Sequence, residues 1–410
     1  MSTFRDTLLA RTAPDGDLFG VVTAVADPTG TFIDSSGAAL VNYSTGRLVF
    51  TCAGGRRKWD SSEQPDLDTT YWAYSFTKLL TTIAALQCVE RGQIGLDDAV
   101  EGILPELKNP QIIGPGDNEA GTQFTLTSAI GKITLRHLLT HTSGVGYDIM
   151  NPLLLAWRES RGESTMSMCG DVVKAYSMPL LFEPGESWAY GGSLDWAGQV
   201  VERLTGQRLG EYMQKNIFSR LEMKNTTFNV IENPHVKQKV MDMVTRSTDG
   251  KLSPIDNMYP EDAKTDSGGM GVLTSVGDYI QVVGDLIKEK PRLLQSGTRD
   301  QMFEPQFEAI GKQTDGLMAM GFMHENLTGG EKSPGAFGFG LGGLITLRDT
   351  PNLPAGTLSW GGMPNLAWFA NRKKGVAACY GCQVIPPSDE PSMALLAEFA
   401  KEAWKQSLDN

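Results

Sequence analysis

Strand-forming runs lie at both ends of this 410-residue chain, and helical patterns lie between them. Near the N-terminus, Val21 to Ala26 and the run GRLVFTCAGGRR are apolar and rich in β-branched residues, and they predict an antiparallel pair of strands. From Phe337 onward, glycines and prolines separate further runs of this kind, and residues 365–385 predict a hairpin that turns at 372–375. A sheet with strands from both termini makes the middle of the chain an insertion.

This order of elements predicts an α+β fold. We expect an antiparallel sheet that is built from both termini and flanked by helices, with an inserted, mainly helical domain. The sheet domain is predicted to span residues 1–74 and 267–410, and the helical domain residues 75–266. The C-terminal run PSMALLAEFAKEAWKQSL is amphipathic at helical spacing and predicts one of the flanking helices.

Three helices are predicted in the inserted region from apolar spacing and from their end signals. The first runs from about Ser75 to Arg91 and ends at Gly92. The second has Thr134 as its N-cap and ends at Ser143-Gly144. The third is SLDWAGQVVERLTGQ, closed by Gly206. The first helix begins the helical domain and is expected to lie at the interface with the sheet.

The charge balance excludes several classes of partner. The chain has 36 Lys and Arg against 48 Asp and Glu, a formal net charge of -12. Nucleic-acid binding and attachment to an anionic membrane both need a basic surface, so we expect neither. We find no run of 18 apolar residues that predicts a transmembrane helix. Five cysteines, an odd number in a long chain, suggest reduced thiols and a cytoplasmic location.

Several catalytic motifs are absent from the sequence. We find no GxSxG nucleophile elbow, no GxGxxG in a βαβ context and no GxxxxGK[ST] loop. His137 and His141 stand four apart on the second predicted helix and could hold a metal, but the HExxH glutamate and an obvious third ligand are missing. A packed, hydrogen-bonded histidine pair is the simpler interpretation. We therefore predict neither a metal nor a cofactor.

A serine and a lysine begin the first predicted helix, in AYSFTKLLTTIAALQCVERG. Ser75 and Lys78 are three residues apart and would share one helix face. A serine hydroxyl becomes a nucleophile when a neighbouring group takes its proton, and an amine among apolar residues can do so directly or by holding a phenolate. The helix N-terminus also favours developing negative charge. The S-x-x-K spacing alone is weak evidence, but its place on a buried helix strengthens it.

Two further segments could belong to the same site as Ser75 and Lys78. In FEPGESWAYGGSLDWAG, Tyr190 precedes two glycines and a helix, which would let its phenol face a cavity; an ordinary loop tyrosine is the simpler interpretation. In LSWGGMPNLAW, Gly361-Gly362 lie on a predicted strand and permit close approach to its backbone, although glycine pairs also mark β-bulges. Backbone amides there could form half of an oxyanion hole, with the Ser75 amide as the other half.

In this order and spacing, the three elements resemble the serine hydrolases of the class C β-lactamase and penicillin-binding-protein family. RHLLTHTSG and SGGMGVLTSVGDY also resemble segments of that family. YGGSLDWAG and GGMPNLAW are similar, more narrowly, to the acyltransferases of the fungal lovastatin pathway. The resemblance implies a β-lactamase-like fold and an acyl-enzyme on Ser75, with Lys78 and Tyr190 acting together as the catalytic base. It also implies an oxyanion hole formed by the amides of Ser75 and Met363.

Two departures from the family pattern concern the substrate. The third residue of the family's Y-x-N motif is Gly192 here, and Ser193 or Asn365 could supply the missing polar group. The lysine of the K-T-G-like strand is Trp360, which offers an apolar face and cannot hold a carboxylate. A neutral, hydrophobic ester or thioester is therefore favoured over a β-lactam. We assign substrate contacts to residues of the strand and loops around Ser75: Tyr147, Trp360, Gly361, Gly362 and Asn365.

The sequence thus predicts a serine-dependent acyltransferase that moves an acyl group from a thioester or ester donor to a hydroxyl of a small secondary metabolite. Its expected partners are this small-molecule acyl acceptor and, as donor, an acyl carrier domain or a coenzyme A thioester. A carboxylesterase of the same fold is the alternative, because access of water alone separates hydrolysis from transfer. A catalytically idle binding protein is a third hypothesis, against which the intact Ser75, Lys78 and Tyr190 argue.

Overall fold

The strands of the largest sheet come from both ends of the chain. The computed structural model describes residues 3–28, 47–116, 123–320, 328, 330–331 and 333–407. Its strands are β1 Gly20–Asp27, β2 Arg47–Gly55, β3 Thr70–Trp72, β4 Gln111–Pro115, β5 Phe124–Ser128, β6 Met243–Arg246, β7 Leu252–Ile255, β8 Leu273–Ser275, β9 Phe337–Phe339, β10 Leu344–Thr346, β11 Thr357–Gly362, β12 Leu366–Asn371, β13 Val376–Cys382 and β14 Val384–Ile385. Seven of them form one sheet in the order β2-β1-β13-β12-β11-β10-β9, and every pair in it is antiparallel. The predicted α+β fold with a sheet built from both termini is confirmed.

Helices lie mainly between these strands and at the two ends of the chain. They are α1 Phe4–Arg11, α2 Thr77–Glu90, α3 Leu135–Leu139, α4 Pro152–Glu159, α5 Val172–Tyr176, α6 Ser193–Thr205, α7 Leu209–Met213, α8 Pro234–Lys237, α9 Val276–Ile287, α10 Ser296–Met302, α11 Lys312–Met318 and α12 Glu390–Trp404, with 3-10 turns at Tyr74–Phe76, Val100–Gly102, Pro105–Leu107 and Ser219–Leu221 and a π-turn at Gln214–Phe218. None of the helices in the described part is long and apolar enough to cross a membrane.

The large sheet is covered on both faces. Two consecutive residues of β13 show this, because they point to opposite sides of the sheet. On one side, Gly381 lies against Val276 of α9, where a Cβ would stand 2.6 Å from a methyl carbon of that valine. On the other, the ring of Tyr380 lies 6.0 Å from that of Phe399 in α12. All residues of β13 are buried, which explains why it reads as a continuous apolar run.

Two of the predicted helices have different ends in the structure. Ser75 lies in a 3-10 turn, and the α-helix begins only at Thr77. The second helix starts after its Thr134 cap as expected but stops at Leu139, short of the predicted Ser143-Gly144. Thr140 already departs from helical geometry, and His141 after it has a φ of +59°, in the left-handed region. The two histidines therefore do not share a helix face.

One short two-stranded ladder carries both the Ser75 turn and the loop opposite it. Strand β3 pairs with β8, with Thr70 opposite Ser275 and Trp72 opposite Leu273. The chain passes from β3 into the turn at residues 74–76 and reaches β8 directly after the glycine-rich residues 267–271. Pairing of the two strands therefore fixes the turn and the glycine-rich loop side by side.

A buried ion pair anchors the loop that carries Tyr147. Arg158 Nε lies 3.1 Å from Asp148 Oδ2, and the two side chains are 3% and 0% exposed. Asp148 also accepts from the amide of Met166 at 2.8 Å. Burial acts to raise the pKa of Asp148, but the hydrogen bonds from the Ser167 hydroxyl and the Met166 amide, with the charge of Arg158, outweigh it and the pKa is lowered. The loop is therefore anchored by the buried Asp148 carboxylate, which depends on Arg158 as its counter-ion.

Replacing Arg158 by Met should lower the free energy of unfolding by about 3 kcal/mol, because it leaves the Asp148 carboxylate buried without its counter-ion. Lys237→Met is the matched control: its pair with Glu261 is 51% and 42% exposed, and its loss should cost less than about 1 kcal/mol. Urea unfolding monitored by circular dichroism measures both. Equal losses for the two variants would contradict the anchoring role of the buried pair.

Candidate active site

The turn that carries Ser75 is held in an unusual backbone conformation. Tyr74, the residue before it, has a φ of +43°, a costly value for a bulky side chain. The Tyr74 hydroxyl donates to Asn257 Oδ1 at 2.7 Å, which ties the turn to a segment 183 residues further along the chain. Burial raises the pKa of Tyr74 to about 12, so this phenol keeps its proton at neutral pH. Ser75 itself is almost buried, with 9% of its surface exposed.

The predicted trio meets at one oxygen. Ser75 Oγ lies 2.5 Å from the Tyr190 hydroxyl, and Lys78 Nζ donates to the same Oγ at 3.2 Å. Lys78 is 1% exposed, and its ammonium stands 4.7 Å from the centre of the Tyr190 ring. Two groups able to move a proton are therefore within hydrogen-bond reach of one hydroxyl.

Lys78 has two further acceptors. Its Nζ donates to the carbonyl of Gly269 at 2.9 Å and to the Tyr147 hydroxyl at 3.3 Å. Tyr147 was predicted as a substrate contact, and it lines the cavity beside Ser75 as well as touching Lys78. Burial raises the pKa of Tyr147 well above its usual range, and the nearby Asp195 carboxyl adds to this. Tyr147 is therefore a neutral phenol that accepts from Lys78.

The missing asparagine at position 192 has a steric explanation. A Cβ on Gly192 would lie 2.5 Å from the ring of Tyr176, and that ring packs 5.7 Å from Tyr147. Ser193 does not face Lys78, because its hydroxyl bonds that of Ser143 at 2.8 Å. The aromatic pair thus occupies the space of an asparagine side chain, and the Tyr147 hydroxyl supplies a polar group to the ammonium.

Trp360 lies behind Tyr190 and does not line the cavity. It is 1% exposed, and its ring centre is 5.5 Å from that of Tyr190 and 6.5 Å from that of His141. Burial, followed by the charge of Lys78, lowers the pKa of His141 well below its usual range. Tyr190 is therefore held against a neutral aromatic wall.

The end of β11 approaches the Ser75 turn closely. A Cβ on Gly362 would stand 2.7 Å from the carbonyl oxygen of Ala73, and Gly361, Gly362 and Met363 line the same cavity as Ser75. Asn365, the other predicted contact on this segment, is not in that lining. Its side-chain amide donates to the carbonyls of Val384 and Pro386 at 2.8 and 2.9 Å. Asn365 thus joins two segments of backbone.

The cavity in front of Ser75 is small and apolar. Its volume is about 220 Å³. Aromatic rings, methionines and the β11 backbone dominate its lining, which consists of Tyr74, Ser75, Tyr147, Ile149, Met150, Ser167, Met168, Tyr190, Met270, Gly361, Gly362, Met363 and Pro387. None of these described residues carries a positive charge.

Three residues near the site were not predicted from the sequence. Asn257 holds Tyr74, Gly269 accepts from Lys78, and Asp195 is completely buried beside Gly269. A carboxylate among Leu194, Trp196 and other apolar residues was a usable signal for Asp195, whereas the other two depend on loop geometry.

The histidine pair shows no sign of a metal site. His137 Nδ1 accepts from the backbone amide of Thr134 at 3.3 Å in a helix cap. In the part of the chain that the structure describes, no group of three or more His, Cys, Asp and Glu residues could hold a metal ion.

Comparisons with known proteins agree with this geometry. The β-lactamase family model matches residues 29–400. An acyltransferase of Penicillium decumbens is 36% identical over 337 residues, 81% of this chain and 80% of that protein. Monacolin J acid methylbutanoyltransferase of Aspergillus terreus is 36% identical over 372 residues, 88% of this chain and 89% of that protein. A lovastatin esterase of Penicillium rubens is 33% identical over 377 residues, 88% and 93% of the two chains.

A solved structure extends the similarity to the whole fold. A mutant of simvastatin synthase from Aspergillus terreus matches with a TM-score of 0.84 at 32% identity, over 99% of this chain and 97% of that one. The resemblance inferred from the motifs is confirmed, and the chain belongs to the β-lactamase family.

Proposed function

We propose that the protein is a serine-dependent acyltransferase that moves an acyl group from an ester or thioester to a hydroxyl of a small apolar molecule. The observation that carries the proposal is the contact of Ser75 Oγ with both Tyr190 and Lys78 at the wall of an apolar cavity. The relatives named as acyltransferases support the same reaction class. The proposed reaction needs no cofactor.

In the first half-reaction, the Lys78–Tyr190 pair acts in the form that has released one proton. Tyr190 takes the proton of Ser75 Oγ, and the oxygen attacks the carbonyl carbon of the donor. The amides of Ser75 and Met363 receive the oxyanion, a role favoured by the close approach of β11 to the turn. Tyr190 then gives its proton to the leaving thiolate or alkoxide, and the acyl group stays on Ser75.

The second half-reaction runs in reverse with a different oxygen. An acceptor alcohol enters, loses its proton to Tyr190 and attacks the acyl-enzyme. The ester leaves, and Ser75 Oγ recovers the proton from Tyr190. Lys78 remains an ammonium throughout and stabilises the charge on whichever oxygen is anionic.

The apolar lining defines the substrates. Uncharged acyl groups and an apolar alcohol fit a cavity whose described walls offer methionine and aromatic surface. An acyl carrier domain or a coenzyme A thioester is the proposed donor, because only the acyl end needs to enter. We also propose a cytoplasmic location, where such donors occur.

Ester hydrolysis is the second candidate function. The 33% identical relative named as a lovastatin esterase favours it. The same acyl-enzyme serves both reactions, and the exclusion of water decides between them. In our proposal the apolar walls favour an alcohol.

Intact-protein mass spectrometry after mixing with p-nitrophenyl butyrate should show one butyryl adduct on the wild type and none on Ser75→Ala. Added apolar alcohols should increase the release of p-nitrophenol and yield butyrate esters faster than free butyrate. An adduct that survives in Ser75→Ala would contradict the nucleophile assignment. Free butyrate as the main product at every alcohol concentration would favour the esterase.

Tyr190→Phe should lower kcat for ester turnover by about 10³-fold, the usual contribution of a positioned general base. Tyr71→Phe is the control, because the Tyr71 hydroxyl is also buried but has no hydrogen-bond partner in the described structure. Stopped-flow release of p-nitrophenol measures both variants. A Tyr190→Phe enzyme with nearly unchanged kcat would contradict the proton-transfer role.

Donors with a charged acyl group should react poorly. p-Nitrophenyl butyrate should exceed the hemisuccinate by at least about tenfold in kcat/KM, because the carboxylate would lose water without gaining a cation. Met150, on the cavity wall and 43% exposed, offers a gain-of-function test. Met150→Lys should reduce the difference in kcat/KM between the two donors, and Met150→Gln should not. Equal kcat/KM for both donors in the wild type would contradict the apolar site.

A further inference from the structure

A buried carboxylate stands behind the site and has no role in the mechanism above. Asp195 lies in the first turn of α6, five residues after Tyr190, and is 0% exposed. The helix N-terminus favours a negative charge at this place, but its benefit is smaller than the cost of removing a carboxylate from water. Such a residue needs a structural or electrostatic reason.

Asp195 is attached to the loop on which the Lys78 ammonium rests. Its Oδ1 accepts from the amide of Gly269 at 3.0 Å and from the Ser267 hydroxyl. The carbonyl of the same Gly269 accepts from Lys78 Nζ at 2.9 Å. A Cβ on Gly269 would lie 2.4 Å from Asp195 Oδ2, so the residue at 269 must be glycine. Gly269 is clamped between the carboxylate and the ammonium.

The charges around this clamp are few. Burial acts to raise the pKa of Asp195, and the charge of Lys78 is the largest influence that opposes it. Oδ2 has no hydrogen-bond partner in the described structure. The other titratable groups that face Asp195 or Lys78 are three phenols that burial keeps neutral and an uncharged imidazole, at Tyr147, Tyr176, Tyr259 and His141, together with the Tyr190 hydroxyl that contacts Ser75. The opposite charges therefore have each other as partners.

We propose that Asp195 is a positioning residue: its carboxylate is the counter-ion of Lys78, and through Gly269 it fixes the place of the ammonium beside Ser75. The inference rests on the proposed function, because it assigns protonation states to Lys78 and Tyr190, the two residues that act as the base in that reaction. Because the Asp195 carboxylate stabilises the Lys78 ammonium, the proton that Lys78 and Tyr190 share stays on the amine. Tyr190 is then the phenolate that accepts the Ser75 proton.

This role has a consequence for pH dependence. The active form arises when the Lys78–Tyr190 pair loses one proton, so activity rises with pH along an acid limb that belongs to the pair. A nearby negative charge makes that proton harder to lose. Removing the charge should therefore move the acid limb to lower pH. If Asp195 had a purely structural role, its replacement would lower the activity plateau of the pH profile and leave the acid limb at the same pH.

The test is the pH profile of kcat/KM for p-nitrophenyl butyrate in Asp195→Asn, which keeps the shape and an acceptor oxygen. The acid limb should move down by about one pH unit. The plateau of kcat should fall about tenfold, with KM changed less than about threefold. Asp195→Ser, smaller and also neutral, should shift the limb in the same direction if Asn fails to fold.

Asp285→Asn is the matched control. Asp285 is also 0% exposed and accepts from the backbone amides of Arg292 and Leu293, but Lys78 is not among the charges that act on it. Its acid limb should stay at the wild-type position. A folded Asp195 variant with an unmoved limb would overturn the proposal, as would an equal shift in Asp285→Asn. Absence of a Ser75 adduct in the wild type would instead overturn the proposed function itself.

Discussion

The contacts of one buried ammonium determine the arrangement of the site. Lys78 donates to oxygens of three separate parts of the chain: the turn before its own helix at Ser75, the loop at Tyr147 and the glycine-rich loop at Gly269. A cation so deeply buried is tolerable only when its hydrogen bonds are made. The fold must therefore bring these three segments together. Pairing of β3 with β8 and the ion pair beneath the Tyr147 loop both serve this convergence.

The same convergence explains why an acyl group can be transferred in a nearly neutral pocket. The family's strand lysine would place a second cation near Lys78, and Trp360 removes it. Its indole instead packs behind Tyr190, beside the uncharged His141. Charge in the site is thus concentrated on Lys78 and on the oxygens near it. In the proposed reaction, a donor enters without a carboxylate of its own, and the developing oxyanion is stabilised by fixed dipoles in an environment with little water.

The sequence predicted what depends on periodicity and on short motifs. The two-ended sheet and the capped helices follow from alternation and cap residues. The pairing of Ser75 with Lys78 follows from helix spacing, whereas Tyr190 was added through the resemblance to the family. Asn365 did not reach the cavity and Trp360 lies behind it, because neighbouring residues of a twisted strand and its turn face different sides. The early end of the second helix and the positive φ of His141 beyond it were not predicted, because apolar spacing and cap residues do not report backbone dihedral angles. Asp195 was missed because a carboxylate in a helix's first turn is usually an exposed partner of the helix dipole.

In the proposed mechanism, Ser75, Lys78 and Tyr190 do not separate transfer from hydrolysis, because both reactions use one acyl-enzyme and one base. Relatives named as acyltransferase and as esterase match this chain with similar identity and coverage, so overall similarity does not separate them either. The difference must arise where an acceptor competes with water, at the apolar lining formed by side chains such as Met150, Met168 and Met270. Flexible thioethers pack against many shapes of apolar alcohol and offer water only weak hydrogen bonds. An alcohol that fills this lining both displaces water and places its oxygen next to Tyr190, so binding energy of the acceptor is converted into selectivity for transfer.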